Sequence, residues 1–199
     1  MKSIISKLSL SVLAATMFIA PSIYAQSQNI LFGRANIALD NSFLATFQSV
    51  NATFTLLDGT PLTNGSANFS AVTGTLNTSS AAGEVFLTGG YLINVGQNSI
   101  RLQNFIIDTT NTSAPLITAI LIVNGNVVAR VPAFNELGSN FNLVTQPGAA
   151  QLSGINLSLS STLATDLNNL VGQPVFKSGQ LVGTDTQSLF FASTPTGYN

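Results

Sequence analysis

Side chains able to do chemistry are scarce in this chain, and their types remove most enzyme reactions at once. Its 199 residues include no histidine and no cysteine. That excludes a Ser-His-Asp set, a Cys-His pair, a thiolate or imidazole zinc site and a thiol redox motif. The best nominal nucleophile pair is Lys177 with Ser178. Adjacent residues of an extended segment point to opposite faces, so this pair reads as a surface lysine beside a turn serine. No catalytic residue is assigned, and the chain reads as a non-enzyme.

Oxygen chemistry remains. Asp108, followed by an Asn- and Thr-rich loop, and Asp58, at a turn, are the candidate calcium donors. Calcium needs about six to eight oxygens, and no dense Asp-x-Asp cluster is present, so the competing reading is a pair of turn-capping aspartates. Glu84 could serve as a glycosidic acid only with a second carboxylate facing it. Phe86, Tyr91, Phe105 and Phe134 are the candidate lining of an apolar ligand pocket. A phenolate can ligate ferric haem, which makes Tyr91 the iron ligand in a haem version of that pocket. Against this stands a buried or edge tyrosine with a satisfied hydroxyl. The residue types themselves imply no cofactor.

These residues must be carried by a domain whose limits the amino-terminal end sets. Lys2 and Lys7 precede and enter an apolar run from Leu8 to Ala20, and Ile23-Tyr24-Ala25 offers a cleavage point, so residues 1–25 are expected to be a secretory signal. Pro21 and Ser22 interrupt the run too early for a membrane anchor, and no integral membrane segment is expected in the mature chain. Residues 26–199 then form one domain. It keeps Arg34, Arg101, Arg130 and Lys177 against seven acidic residues. Four scattered cations cannot track phosphates, which excludes nucleic acid as a partner. Charged residues make up 7% of the chain, against about 25% in ordinary soluble domains. The resulting surface of Asn, Ser, Thr and Gln lacks the edge lysines that normally block strand association.

The elements are short and β-like. Ala35, Ile37 and Leu39 alternate with polar neighbours, and Asn41-Ser42 could cap a helix over Phe43, Leu44 and Phe47, with a strand reading nearly as good. Phe54 to Leu57 ends at the hairpin signal Asp58-Gly59, and Gly74 to Ala82 reads as a loop. Gly83 to Asp108 reads as two or three strands broken at Gly89-Gly90 and at Gly96 to Ser99. Leu116 to Val123 is apolar on both faces except at Thr118, the mark of an interior strand, and Asn124-Gly125 turns it into Val127 to Val131, where Pro132 is expected to stop it. Ile155, Leu157 and Leu159 alternate with Asn156 and Ser158. A helix opened by Ser161 or Thr162 buries Leu163 and Leu167 and stops at Gly172. Pro174 to Lys177 and Gln180 to Val182 are short strand candidates, Leu189 to Ala192 is a last strand, and 193–199 is a frayed tail. The expected fold is therefore all-β: an antiparallel β-sandwich of roughly nine to eleven strands with one or two short helices.

Several of these segments carry a family resemblance. Gly74 to Asn77, Gly83 to Leu92, Ile100 to Asp108, Leu157 to Ser160, Leu163 to Gly172 and Phe176 to Gly183 together resemble bacterial secreted β-sandwich proteins of the HtaA-like type. The resemblance implies a β-rich secreted or cell-surface domain. In the haem-uptake members an aromatic and histidine arrangement holds the haem. This chain has no histidine, and the Trp-containing amino-terminal motif of those domains has no match here, so the resemblance bears on the fold more than on haem.

Two functional expectations follow. The first is an extracellular structural protein that self-associates into a matrix, biofilm or fibre, with residues 26–32 as an exchangeable arm. Ile30, Leu31 and Phe32, extending to Ile37 and Leu39, would be the self-association residues, and other copies or extracellular matrix components the partners. The second is a monomeric secreted binding module for an apolar ligand or haem.

Overall fold

The computed structural model describes residues 27–137 and 141–192. Both the signal reading of 1–25 and the tail reading of 193–199 fall outside them. The elements run β1 (Ser27–Leu39), α1 (Asn41–Ser49), β2 (Thr53–Leu56), β3 (Ser66–Asn77), β4 (Gly83–Thr88), β5 (Gly90–Val95), β6 (Asn98–Asp108) and β7 (Leu116–Val123). They continue with β8 (Asn126–Leu137), β9 (Asn142–Gln146), β10 (Ala149–Leu159), α2 (Ser161–Val171) and β11 (Leu181–Phe191).

Every strand pairing is antiparallel, and the pairings close into a ring. The order β6-β4-β3-β1-β11-β10-β8-β7 returns to β6 through a full β6–β7 ladder, giving an eight-stranded barrel rather than the expected sandwich. The remaining strands hang from it: β5 and then β2 extend from β6, and β9 from β10. Closure depends on β6 serving two partners on one edge. Its residues 98–103 pair with β5, residues 106–108 pair with β4, and between them Asn104 takes φ +53°. Asparagine tolerates that left-handed angle, and the irregularity lets the edge change partners.

Local chemistry explains the element ends. Asn124 (φ +48°) and Gly125 (φ +82°) make the expected tight hairpin between β7 and β8. The amino-terminal helix forms because the Asp40 carboxylate accepts the Ser42 backbone N–H at 2.8 Å, and Phe43 and Phe47, one turn apart, both enter the core. Ser160 caps α2 by accepting the Leu163 N–H at 3.0 Å, and Gly172 ends the helix in the left-handed conformation. Three expected boundaries move. The third strand runs through Gly74 to Asn77, the eleventh is one continuous strand from Leu181, and Pro174 to Lys177 lies outside any strand. Pro132 also sits inside β8 rather than ending it. The register shifts between its partner Thr118 and Ile117, so the missing N–H falls at a bulge, where proline is tolerated.

Residues 27–32 of the expected arm form the start of β1. It lies between β3 and β11 and pairs with both, Ser27 opposite Asn77 and Ile30 opposite Phe191. Ile30, Ile37 and Leu39 point into the core, while a register irregularity between Ile30 and Phe32 leaves Leu31 and Phe32 on the outer face. Three of the five expected self-association residues are therefore committed to the barrel's own interior. Deleting Ser27–Phe32 is expected to open the ring between β3 and β11 and lower the thermal midpoint by about 10 °C or more, because hydrogen bonds on both edges and the burial of Ile30 are lost together. A truncated chain melting within a few degrees of the parent would overturn that placement.

Candidate ligand pocket and buried acid cluster

The two ends of the barrel differ. At the end where β1 and β10 lead into helices, Phe43, Phe47, Phe54 and Phe176 form an aromatic cap, with Phe47–Phe176 and Phe47–Phe54 ring centroids 4.7 and 4.9 Å apart. Tyr91, Phe69, Phe105 and Phe134 continue this stack into the interior. At the other end turns lie across the opening. Thr109 binds the β3–β4 turn to the β6–β7 loop, its backbone N–H donating to Gly83 O at 2.9 Å and its hydroxyl to the Ala81 and Gly83 carbonyls.

A pocket of about 40 Å³ opens among these turns, walled by Ala81, Pro115, Leu152, Ile155 and Phe141, with Glu136 as the single ionisable group. The Glu136 backbone N–H donates to Pro115 O at 3.0 Å, which anchors β8 at the pocket wall. Its side chain is 7% exposed, and Oε1 has no partner among the described residues. Burial, with the Asp185 carboxyl behind it, pushes Glu136 up to about 8. Burial thus favours the neutral form, which presents an O–H.

Asp185 itself is fully buried. Its Oδ2 accepts Gln187 Nε2 at 2.7 Å, while its Oδ1, Gln187 Oε1 and the Tyr91 hydroxyl have no partner among the described residues. Burial raises Asp185 to about 7, opposed by the bonds from Gln187 and the Thr186 backbone. Tyr91 is raised well above its usual value by burial first and by Asp185 second, so it stays a phenol.

The expected site residues separate in this frame. Tyr91, Phe105 and Phe134 are buried core rings, with Tyr91–Phe105 centroids 5.7 Å and Phe105–Phe134 centroids 6.2 Å apart. Phe86 is half-buried between the inward residues Val85 and Leu87, so it sits on the opposite face of β4. These four do not line one groove. Asp58 Oδ1 accepts the Thr60 N–H at 2.9 Å and Asp108 Oδ1 the Thr110 N–H at 3.0 Å, both as turn caps. No group of three or more His, Cys, Asp or Glu able to hold a metal occurs among the described residues.

Glu136, Asp185 and Gln187 were missed by the sequence reading. For the last two a signal existed: alternation back from Phe191 and Leu189 places Gln187 and Asp185 on the same inward face, once the strand is known to extend that far.

Known structures share this architecture. The C-terminal domain of HtaA from Corynebacterium glutamicum superposes with a TM-score of 0.64 at 18% identity, covering 83% of this chain and 100% of that domain. The N-terminal domain of the same protein gives 0.58 at 16% identity, covering 82% of this chain and 99% of its own. A domain-swapped dimer of an H434A variant of the C-terminal domain gives 0.51 at 17% identity, covering 75% and 90%. No protein-family model and no curated protein sequence matches the chain. The fold is that of the HtaA domains, and at these identities the likeness establishes the fold alone.

A haem held by Tyr91 does not fit this geometry. Tyr91 is 0% exposed, its ring is enclosed by Phe54, Phe69 and Phe105, and its hydroxyl stays protonated. An iron ligand needs an open approach and a phenolate, and this position provides neither.

Proposed function

We propose that this protein is a secreted binding module for a small apolar ligand. The pocket beside Glu136 takes the ligand's apolar end, and the Glu136 O–H donates to an acceptor such as a carbonyl. The observation that carries this reading is a buried carboxyl whose Oε1 lacks a partner among the described residues, in a mostly apolar wall that also includes Ser80, Thr109 and Thr112. Binding sites are commonly apolar concavities with a few placed polar groups, and an unmet hydrogen bond in such a wall favours a ligand that meets it. At about 40 Å³ the pocket admits only the end of a molecule. The HtaA-type fold also supports a binding module over a fibre subunit. No helix among the described residues is long and apolar enough to cross a membrane.

The test is saturation-transfer NMR with short-chain methyl ketones, with hemin titrated separately by absorption. Ketone binding is expected at pH 6 and is lost as pH rises through about 8, where Glu136 ionises. Glu136→Gln, which keeps a donor, removes that pH dependence, and Thr112→Trp at the exposed rim blocks entry. Ketone signals indifferent to both substitutions would sink the proposal. A hemin band lost on Tyr91→Phe would replace it with haem binding.

A further inference from the structure

The outer wall of β3, β1, β11 and β10 carries two cross-strand rows that the pocket does not use. One consists of Ser70, Arg34, Ser188 and Gln151, aligned by the pairings Arg34 with Ser70, Arg34 with Ser188 and Gln151 with Ser188. All four residues are exposed. Two residues further along the strands, about 7 Å away, Phe32 lies opposite Phe190. Their rings stack with centroids 4.7 Å apart, and they are 57% and 42% exposed.

Scattered exposed apolar residues need no explanation, but a stacked aromatic pair, with exposed Leu31 and Val72 on strands of the same wall and a polar row beside it, does. The irregularity in β1 beside Ile30 is what sets Phe32 outward to meet Phe190. A shallow cleft of about 220 Å³ runs past Gln151, Ser188 and Phe190. Neither row contains a carboxylate, and Arg34 is their one cation. A matching ligand therefore presents an apolar face with hydroxyls beside it and carries no charge.

We propose that this wall binds a neutral saccharide chain lying across the strands. Sugar rings set their C–H faces on Phe32 and Phe190, and their hydroxyls bond to Gln151, Ser188 and Arg34. The carboxamide and the serine hydroxyl each donate and accept, which suits sugar hydroxyls that do the same, whereas a lipid surface would leave these groups unmet. The site is on the opposite face of the wall from the interior acids and is independent of the pocket.

The experiment is affinity electrophoresis of the full chain through gels containing laminarin, mannan or dextran, with phosphatidylcholine vesicle flotation in parallel. At least one polysaccharide is expected to retard the protein. Phe32→Ala and Phe190→Ala should each weaken retardation about tenfold, while the fold is kept and the thermal midpoint falls by only a few degrees, because the rings are half-exposed and lose mainly their mutual stacking. Val127→Ala, at an exposed apolar residue elsewhere, and Thr112→Trp leave retardation as it was. The proposal is overturned if no polysaccharide retards the chain, if retardation survives both phenylalanine substitutions, or if the chain floats with vesicles in a Phe32-dependent way, which would assign the wall to lipid.

Discussion

Thermal stability is expected to be greatest in mildly acidic solution and to fall steadily from about pH 5 to pH 8.5, with Asp185→Asn removing much of the slope. Asp185 and Glu136 have folded-state values raised to about 7 and about 8, both chiefly by burial. In the unfolded chain they ionise near their ordinary values around 4. Between those limits the folded state holds protons that the unfolded state has released, so stability is fully present below about pH 4 and is lost as pH rises through the folded values. Each group contributes on the order of a few kcal/mol across that window. The half-buried Asp166 is raised by burial and acts in the same direction. Exposed Asp40 and Asp58, lowered by bonds from Ser42 and Thr60, oppose the trend only below about pH 4. Asparagine at 185 keeps an acceptor for Gln187, supplies an N–H and carries no charge to bury, so the variant melts higher than the parent at pH 8. Thermal midpoints of both proteins from pH 4.5 to 8.5 provide the check. A parent midpoint that climbs with pH would mean that the two carboxyls are solvated.

Gly74→Ala is expected to cost on the order of 3–5 kcal/mol, lowering the thermal midpoint by about 10 °C or more. Gly74 lies inside β3 between Ile30 of β1 and Val85 of β4, at φ +142°. A Cβ there would collide with the Glu84 carbonyl oxygen and press on the Val85 Cα. These are backbone atoms of a paired strand and cannot swing aside as a side chain would, so the ladder itself must shift. Gly125→Ala separates strain from collision. Gly125 has φ +82° with open space around its Cβ position, so alanine there should cost only about 1–2 kcal/mol. Equal midpoints for the two variants would show that β3 and β4 approach less closely than described.

The amino-acid sequence determined the local elements, because each rests on nearest-neighbour chemistry. Alternation at Ile155, Leu157 and Leu159, the left-handed pair Asn124-Gly125, and the helix from Leu163 to Gly172 are recognisable without any partner strand. The missing histidine and cysteine likewise settled, at the level of residue type, which catalytic sets the chain cannot assemble. Ring closure was beyond such reading: it depends on β6 changing partners at Asn104 and on the β6–β7 ladder, and antiparallel pairing across distant segments leaves no periodic trace. Burial was equally illegible at single residues. Tyr91 has the same local pattern whether it lines a groove or fills a core, and only the rings of Phe54, Phe69 and Phe105 around it decide. The start of β1 was illegible for the same reason, since an apolar, weakly charged strand reads alike whether it is free or, as residues 27–32 are here, paired with β3 and β11. Alternation back from Phe191 could have placed Asp185 and Gln187 inward, but their desolvation and that of the pocket acid Glu136 became visible only in three dimensions, because desolvation is a property of everything packed around a side chain and not of its neighbours in sequence.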